Sequence, residues 1–221
     1  MKLKLASLVL FLILICACTA PSPAPSVPAK ETQEPAVNEG APIEPTPLVP
    51  IQKVVPAEIK DLVDKSTSRV KNAYYRYTGP QTGNSFYEFY VKDSKIKYIP
   101  SRAIKSLNKE DSFDSIFLDK VAKTARSYCT DPTCTFKGIK AELAYSDYYI
   151  PTIFDWLDFQ TAEKIGEEQI ENRATWIVKT EKGNLWLDNY YGVPLKVESD
   201  GNTYKYSQLA VNGVKDSDVS P

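Results

Sequence analysis

Residues 167–213, EEQIENRATWIVKTEKGNLWLDNYYGVPLKVESDGNTYKYSQLAVNG, decide the fold. The stretch breaks at Asn172, at Lys182-Gly183, at Tyr191-Gly192 and at Asp200-Gly201, residue types that favour tight turns, and the pieces between read as strands. Trp176 and Val178 fall on one face. Leu185 and Leu187 share a face with Trp186 opposite, and Tyr204 and Tyr206 share one with Lys205 opposite. Short strands in succession, joined by Gly-bearing turns, build a large antiparallel sheet.

Toward the N-terminus the same texture continues. NAYYRYTG from Asn72, NSFYEFYVKD and SKIKYIP are aromatic and β-branched stretches that read as three consecutive antiparallel strands. In FYEFYV both parities are apolar: Phe86 and Tyr90 lie on one face, and Tyr87, Phe89 and Val91 on the other. A sheet covered on one side only would carry charge on its outer face, so this one is expected to be covered, or curved around something, on both. FDSIFLD and AKTARSYC flank Lys120-Val121 as a further hairpin. AELAYSDYYI is equally compatible with a strand or a short helix, and Pro151 to Phe159 reads as a helical turn carrying Phe154, Trp156 and Leu157. Ahead of the sheet, PAEIKDLVDKSTSRV places Ile59, Leu62, Val63 and Val70 on one helical stripe, with Pro56 and Glu58 suited to the first turn. A single open sheet cannot hide two apolar faces. The expected fold class is therefore α+β: a strongly curved antiparallel sheet, a half-barrel, with covering N-terminal and middle helices.

The first fifty residues are of another kind. Lys2 and Lys4 precede an apolar run from Leu5 to Ile15 that is shorter than the ~20 residues of a spanning helix and has the make-up of an export signal. It ends in Ile15-Cys16-Ala17-Cys18, which resembles the lipobox of prokaryotic lipoproteins, with Ile15 at −3, Ala17 at −1 and Cys18 as the lipidated residue. The alternatives are an ordinary secretory peptide cut near Ala20 and an uncleaved anchor. Residues 19–56 hold ten of the sixteen prolines and no aromatic residue, a composition that favours extended polyproline II and offers nothing to pack. At about 3 Å per residue such a tether reaches up to roughly 100 Å. The expected organisation is a signal peptide over 1–17, a lipidated cysteine and Pro-rich tether over 18–56, and one domain over 57–221, extracytoplasmic and attached to a membrane through its N-terminal lipid.

Composition excludes more than it identifies. Without the two signal lysines the chain has 25 basic against 28 acidic residues, and no basic run offers a phosphate-tracking stripe, so no nucleic-acid partner is expected. The two domain cysteines, Cys129 and Cys134 in CTDPTC, surround an Asp-Pro turn, and in an oxidising compartment they are expected to form a disulfide. The chain has no histidine and no third domain cysteine, so neither a metal site nor a cofactor is expected, and Ser-His, Cys-His and zinc-histidine chemistry are unavailable. Asp155 and Asp158 with Glu167 and Glu168 offer carboxylates, but nothing in their spacing sets two of them at working distance. The expectation is a protein that is not an enzyme.

Three stretches carry a resemblance. Glu167 to Arg173 with Trp176, the Leu185-Trp186-Leu187-Asp188 strand followed by Tyr191-Gly192-Val193-Pro194-Leu195-Lys196, and Thr203 to Tyr206 are similar, in that order after an initial helix and a YYRY strand, to the LolA-like superfamily of periplasmic lipoprotein carriers. What that resemblance implies is a hydrophobic hollow between sheet and helices that takes a lipid or another hydrophobic ligand, or a domain that escorts or senses a lipidated partner. Tyr74, Phe86, Phe89, Trp176, Val178, Leu187 and Tyr204 are the candidate cavity residues, each equally suited to an ordinary core, and Phe154 and Trp156 are the candidate lid. The competing expectation is an anchored module for protein or envelope partners, with a solid core and no cavity.

Overall fold

Eleven strands form one antiparallel sheet in the computed structural model, which describes residues 54–100 and 112–221. The signal peptide, Cys18 and all but the last residues of the tether lie outside the described residues. Helix α1 (Ala57–Arg69) leads into β1 (Asn72–Thr78), β2 (Tyr87–Lys92), β3 (Lys95–Pro100), β4 (Ser115–Asp119), β5 (Thr124–Cys129) and β6 (Gly138–Leu143). A one-turn helix α2 (Tyr145–Tyr148) and an irregular segment follow. Then come β7 (Ala162–Ile170), β8 (Arg173–Thr180), β9 (Gly183–Asp188), β10 (Pro194–Ser199), β11 (Asn202–Val211) and a short α3 (Asp216–Val219). The strand order is β6-β5-β4-β3-β2-β1-β11-β10-β9-β8-β7, so two meanders join where β1 meets β11. The hairpin turns fall at the breaks in the sequence, and Glu171, Asn172 and Asp200 adopt the left-handed backbone such two-residue turns require.

The sheet is open and strongly curled. β10 pairs with β11 only as far as Lys196↔Lys205. Beyond that point the β7–β8 turn supplies the missing partners: Glu171 accepts from the Gln208 N–H at 2.9 Å, and Arg173 donates to the Leu209 carbonyl at 3.2 Å and to Asp188 at 3.2 Å. β7 and β11 stand four strands apart, and only a sheet that curves back on itself lets them touch.

Its inner face is filled by its own rings. Tyr75 stacks on Phe89 at 5.3 Å and Phe89 on Tyr98 at 5.1 Å, while Tyr206 meets Tyr75 edge-on at 5.3 Å. Ile59 and Leu62 of α1 and Ile150 and Ile153 of the irregular segment join the same buried cluster. Burial pushes the Tyr75 and Tyr206 phenols well above their usual range and keeps both neutral. The outer face is covered differently. Lys97 lies over the rings of Tyr90 and Phe117, and α3 settles on β2 and β3 through the Lys92–Asp216 pair at 2.8 Å. This cover, as well as curvature, accounts for the two-sided apolarity of FYEFYV.

One expected element is different. Residues 151–158 form no regular helix. Asp155 accepts from the Thr152 N–H at 2.7 Å and from its hydroxyl at 2.6 Å, a cap that opens a helical turn. Trp156 then leaves it to donate its indole N–H to the Tyr206 hydroxyl at 2.6 Å, and Phe159 is buried two residues past Leu157. Tertiary contacts end the helix after one turn, so the middle cover is a string of turns. Immediately before that segment, AELAYSDYYI is both of its alternatives in succession, strand to Leu143 and then α2.

Cys129 and Cys134 are joined, closing the short loop between β5 and β6. Asp114 holds the loop by accepting from the Thr130 N–H at 3.0 Å. Replacing both cysteines by serine is expected to cost about 2 kcal/mol, the value for so short a loop. Urea denaturation of the variant beside the reduced and oxidised parent checks this, and the reduced parent should match the variant.

Candidate functional site

A groove opens where α1 ends. One wall is the C-terminal half of α1 with Val63, Ser66, Thr67 and Val70; the other is Phe154, Leu157 and Asp158 of the irregular segment. Val91 forms the floor, with Lys71, Asp93 and Lys120 at the margins, and the open trough has a volume of about 520 Å³. Its size is that of a small-molecule or side-chain pocket. Val63, Phe154 and Leu157 are half-buried, pack against the core from above and, among the described residues, carry no further layer, whereas Val70 and Val91 below them are buried.

Both walls are fixed by contacts far apart in sequence. The turn after β9 clamps α1: Arg69 donates to the Tyr190 carbonyl at 3.0 Å and its guanidinium lies over the Tyr190 ring at 4.7 Å. Gly192, in the left-handed region at φ 71°, rests directly on the helix, where a Cβ would stand 2.0 Å from the Leu62 carbonyl oxygen. Buried Asp188 organises that turn by accepting from the N–H groups of Tyr190 and Tyr191 at 2.8 and 2.7 Å. The opposite wall hangs on Asp155, which pairs with Lys120 at 2.5 Å. Lys182 reaches the Asp155 carbonyl at 3.0 Å. Farther along, the Glu181 carboxylate accepts from the backbone of Gln160 and Thr161, which holds its carboxyl down at about 2.

The residues expected to line a cavity lie elsewhere. Phe89, Val178 and Leu187 are in the packed inner core at 1 % exposure or less. Trp176 and Tyr204 pack against its margin, and Tyr74 and Phe86 belong to the outer face, where Tyr74 meets Tyr90 at 5.1 Å and Arg76 covers Phe86. Of the expected lid, Phe154 lines the groove. Trp156 is held by Tyr206 and faces a separate cleft of about 450 Å³ with Tyr204, Glu181 and Asp200. Of the residues lining the groove only Phe154 was an expected site residue; Val91 and Leu157 were expected in the sheet and the turn, and Thr67 and Lys71 were not singled out. The available signal was Val63, which widens the apolar stripe of α1 beyond what Ile59 and Leu62 need.

Among the described residues, Asp114, Cys129 and Cys134 bring ligand atoms within 4.8 Å of one another, but both sulfurs are consumed by the disulfide. No described helix is long and apolar enough to cross a membrane.

No family model matches the chain, and no curated protein does. Among solved structures it is similar to the MucA/MucB complex of Pseudomonas aeruginosa, at 12% identity and a TM-score of 0.41, over 75% of this chain and 61% of that one. It is also similar to MucB in complex with MucA(peri), at 12% identity and a TM-score of 0.35, over 72% of this chain and 58% of that one. A DUF1329 family protein from Desulfovibrio piger follows at 12% identity and a TM-score of 0.25, over 74% of this chain and 97% of that one. The chain thus spans about three-fifths of the length of the first two.

Proposed function

We propose that this is an extracytoplasmic binding domain, lipid-tethered through Cys18, that holds a lipid or another apolar ligand, or the apolar part of a partner, in the groove between α1 and residues 154–158. The observation that carries the reading is the trio Val63, Phe154 and Leu157, half-buried around a trough that the described residues leave unfilled. Each methylene moved from water into such a trough contributes about 0.8 kcal/mol, so burial alone suffices to retain an apolar ligand. Binding without catalysis is part of the proposal.

The edges of the sheet support the groove over edge-to-edge recognition. Strand β6 carries a bulge at Lys140 and β7 one at Ile165, and charged side chains run along both. Bulges and lysines on edge strands discourage pairing with another chain.

Native mass spectrometry of the full chain, exchanged from membranes into amphipol, is expected to show an apolar adduct. Thr67→Trp, which fills the groove from an exposed helix position, is expected to remove it. A parent mass free of adduct, together with no uptake of the neutral dye N-phenyl-1-naphthylamine, would leave the solid-core interaction module as the better reading.

A further inference from the structure

We infer that the occupant of the groove is a peptide: an apolar segment of a partner protein with a lysine or arginine beside it. This rests on the groove being a binding site and adds the charge of what it binds.

Four charged side chains border the trough, and they are not equivalent. Lys120 is neutralised by Asp155 at 2.5 Å. Lys71 donates its ammonium to the Thr67 carbonyl at 2.8 Å, in the last turn of α1. Asp93 and Asp158 are exposed, and among the described residues neither has a hydrogen bond or ion pair. Lys120 is cancelled by Asp155 and Lys71 keeps its charge on a neutral carbonyl, so Asp93 and Asp158 leave the margin with one carboxylate in excess.

The helix adds to the same sign. The groove lies against Ser66, Thr67 and Val70 at the negative end of α1, where the Ser66, Thr67 and Arg69 carbonyls accept from the Val70 N–H, the Lys71 ammonium and the Asn212 amide. Lys71 already sits on one of those carbonyls, so the site holds one cation of its own chain. A fatty-acid carboxylate or a phospholipid phosphate brought there meets two carboxylates and a negative helix end, against the single Lys71 ammonium. A lysine or arginine next to apolar side chains meets attraction from all three, with its neighbours on Val63, Phe154 and Leu157. Polypeptide supplies that combination on one chain; anionic membrane lipids lack the cation, and zwitterionic ones bring a phosphate with it.

Three dansyl-labelled peptides test this, sharing one leucine-rich centre and flanked by lysine, glutamine or glutamate. They are titrated against the full chain in phosphatidylcholine vesicles, with protein-free vesicles as the blank. The lysine peptide is expected to bind about fivefold more tightly than the glutamine peptide, from two partly exposed charge pairs. The glutamate peptide is expected to bind more weakly than both. The lysine preference is expected to shrink toward unity in Asp93→Asn/Asp158→Asn; asparagine keeps the left-handed turn that Asp93 occupies at φ 53°. Equal affinity for all three peptides, abolished by Thr67→Trp, overturns the charge inference and leaves the groove reading intact. No peptide binding in a protein that still takes up the neutral dye overturns the peptide alone, and failure of both probes overturns the groove as well.

Discussion

Gly192→Ala is expected to lose about 3 kcal/mol of unfolding free energy, of which about 1 is left-handed backbone strain and the remainder overpacking against a rigid neighbour. The neighbour is backbone: a Cβ at this position would lie 2.0 Å from the Leu62 carbonyl oxygen and 3.0 Å from its carbon, so no side-chain rotation relieves the clash. Helix α1 must move or the turn after β9 must. Gly201→Ala supplies the control, because Gly201 has nearly the same backbone, φ 74°, and nothing within 4 Å of its missing Cβ. It should show the strain alone, about 1 kcal/mol. Urea midpoints of the two variants separate the contributions. Native-state hydrogen exchange should show α1 losing protection in Gly192→Ala before the inner-face strands do. Equal costs for the two variants would mean that α1 does not rest on Gly192, and the groove would then lose one of its walls.

That contact also marks where local pattern stops informing. Strand positions were legible because alternation and turn residues act over five to ten residues: the breaks at Asn172, Lys182-Gly183 and Asp200-Gly201 are hairpin turns, and Trp176/Val178 and Leu185/Leu187 face inward together. The groove was not legible in the same way. Its width depends on Gly192 meeting Leu62, 130 residues away in the chain, and on Lys120 meeting Asp155, and neither pairing leaves a periodic trace. The aromatic strands that suggested a hollow are also the residues best able to fill one: the Tyr75, Phe89, Tyr98 and Tyr206 rings contact each other at stacking and edge-on distances. The one-turn α3 over the outer face is too short for any periodicity, and its seat on β2 and β3 rests on Lys92 pairing with Asp216.

Removing the Asp155 side chain is expected to cost about 3 kcal/mol, because Asp155→Ala strands the half-buried Lys120 ammonium and the Thr152 N–H at once. Asp155→Asn should cost less, since an amide oxygen still accepts from Thr152 while the charge attraction to Lys120 is gone. The two variants also differ from the parent in how they respond to acid. Burial pushes the Asp155 carboxyl upward, but hydrogen bonds from Lys120, Thr152 and Tyr149 outweigh it and hold the group below the usual carboxylate range. A depressed pKa in the folded state means that the unfolded chain takes up the proton more readily. The stability due to Asp155 is therefore complete above its unfolded value of about 3.9 and is lost as the pH falls through the lower, folded value. Urea midpoints measured from pH 7 to pH 3 should show the parent's advantage over Asp155→Asn constant down to about pH 4 and shrinking below it. An advantage that persists unchanged at pH 3, or one that declines between pH 7 and pH 5, would place the proton on another group. The functional consequence runs through the same residue. Asp155 holds the turn that carries Phe154 and Leu157, whereas Glu181 keeps Gln160 and Thr161 in place independently, so Asp155→Ala should loosen only the groove-facing part of the segment. Dye uptake by the folded variant should weaken while the melting of the sheet remains cooperative, and that split between binding and global unfolding is what a wall built from one short, side-chain-held turn predicts.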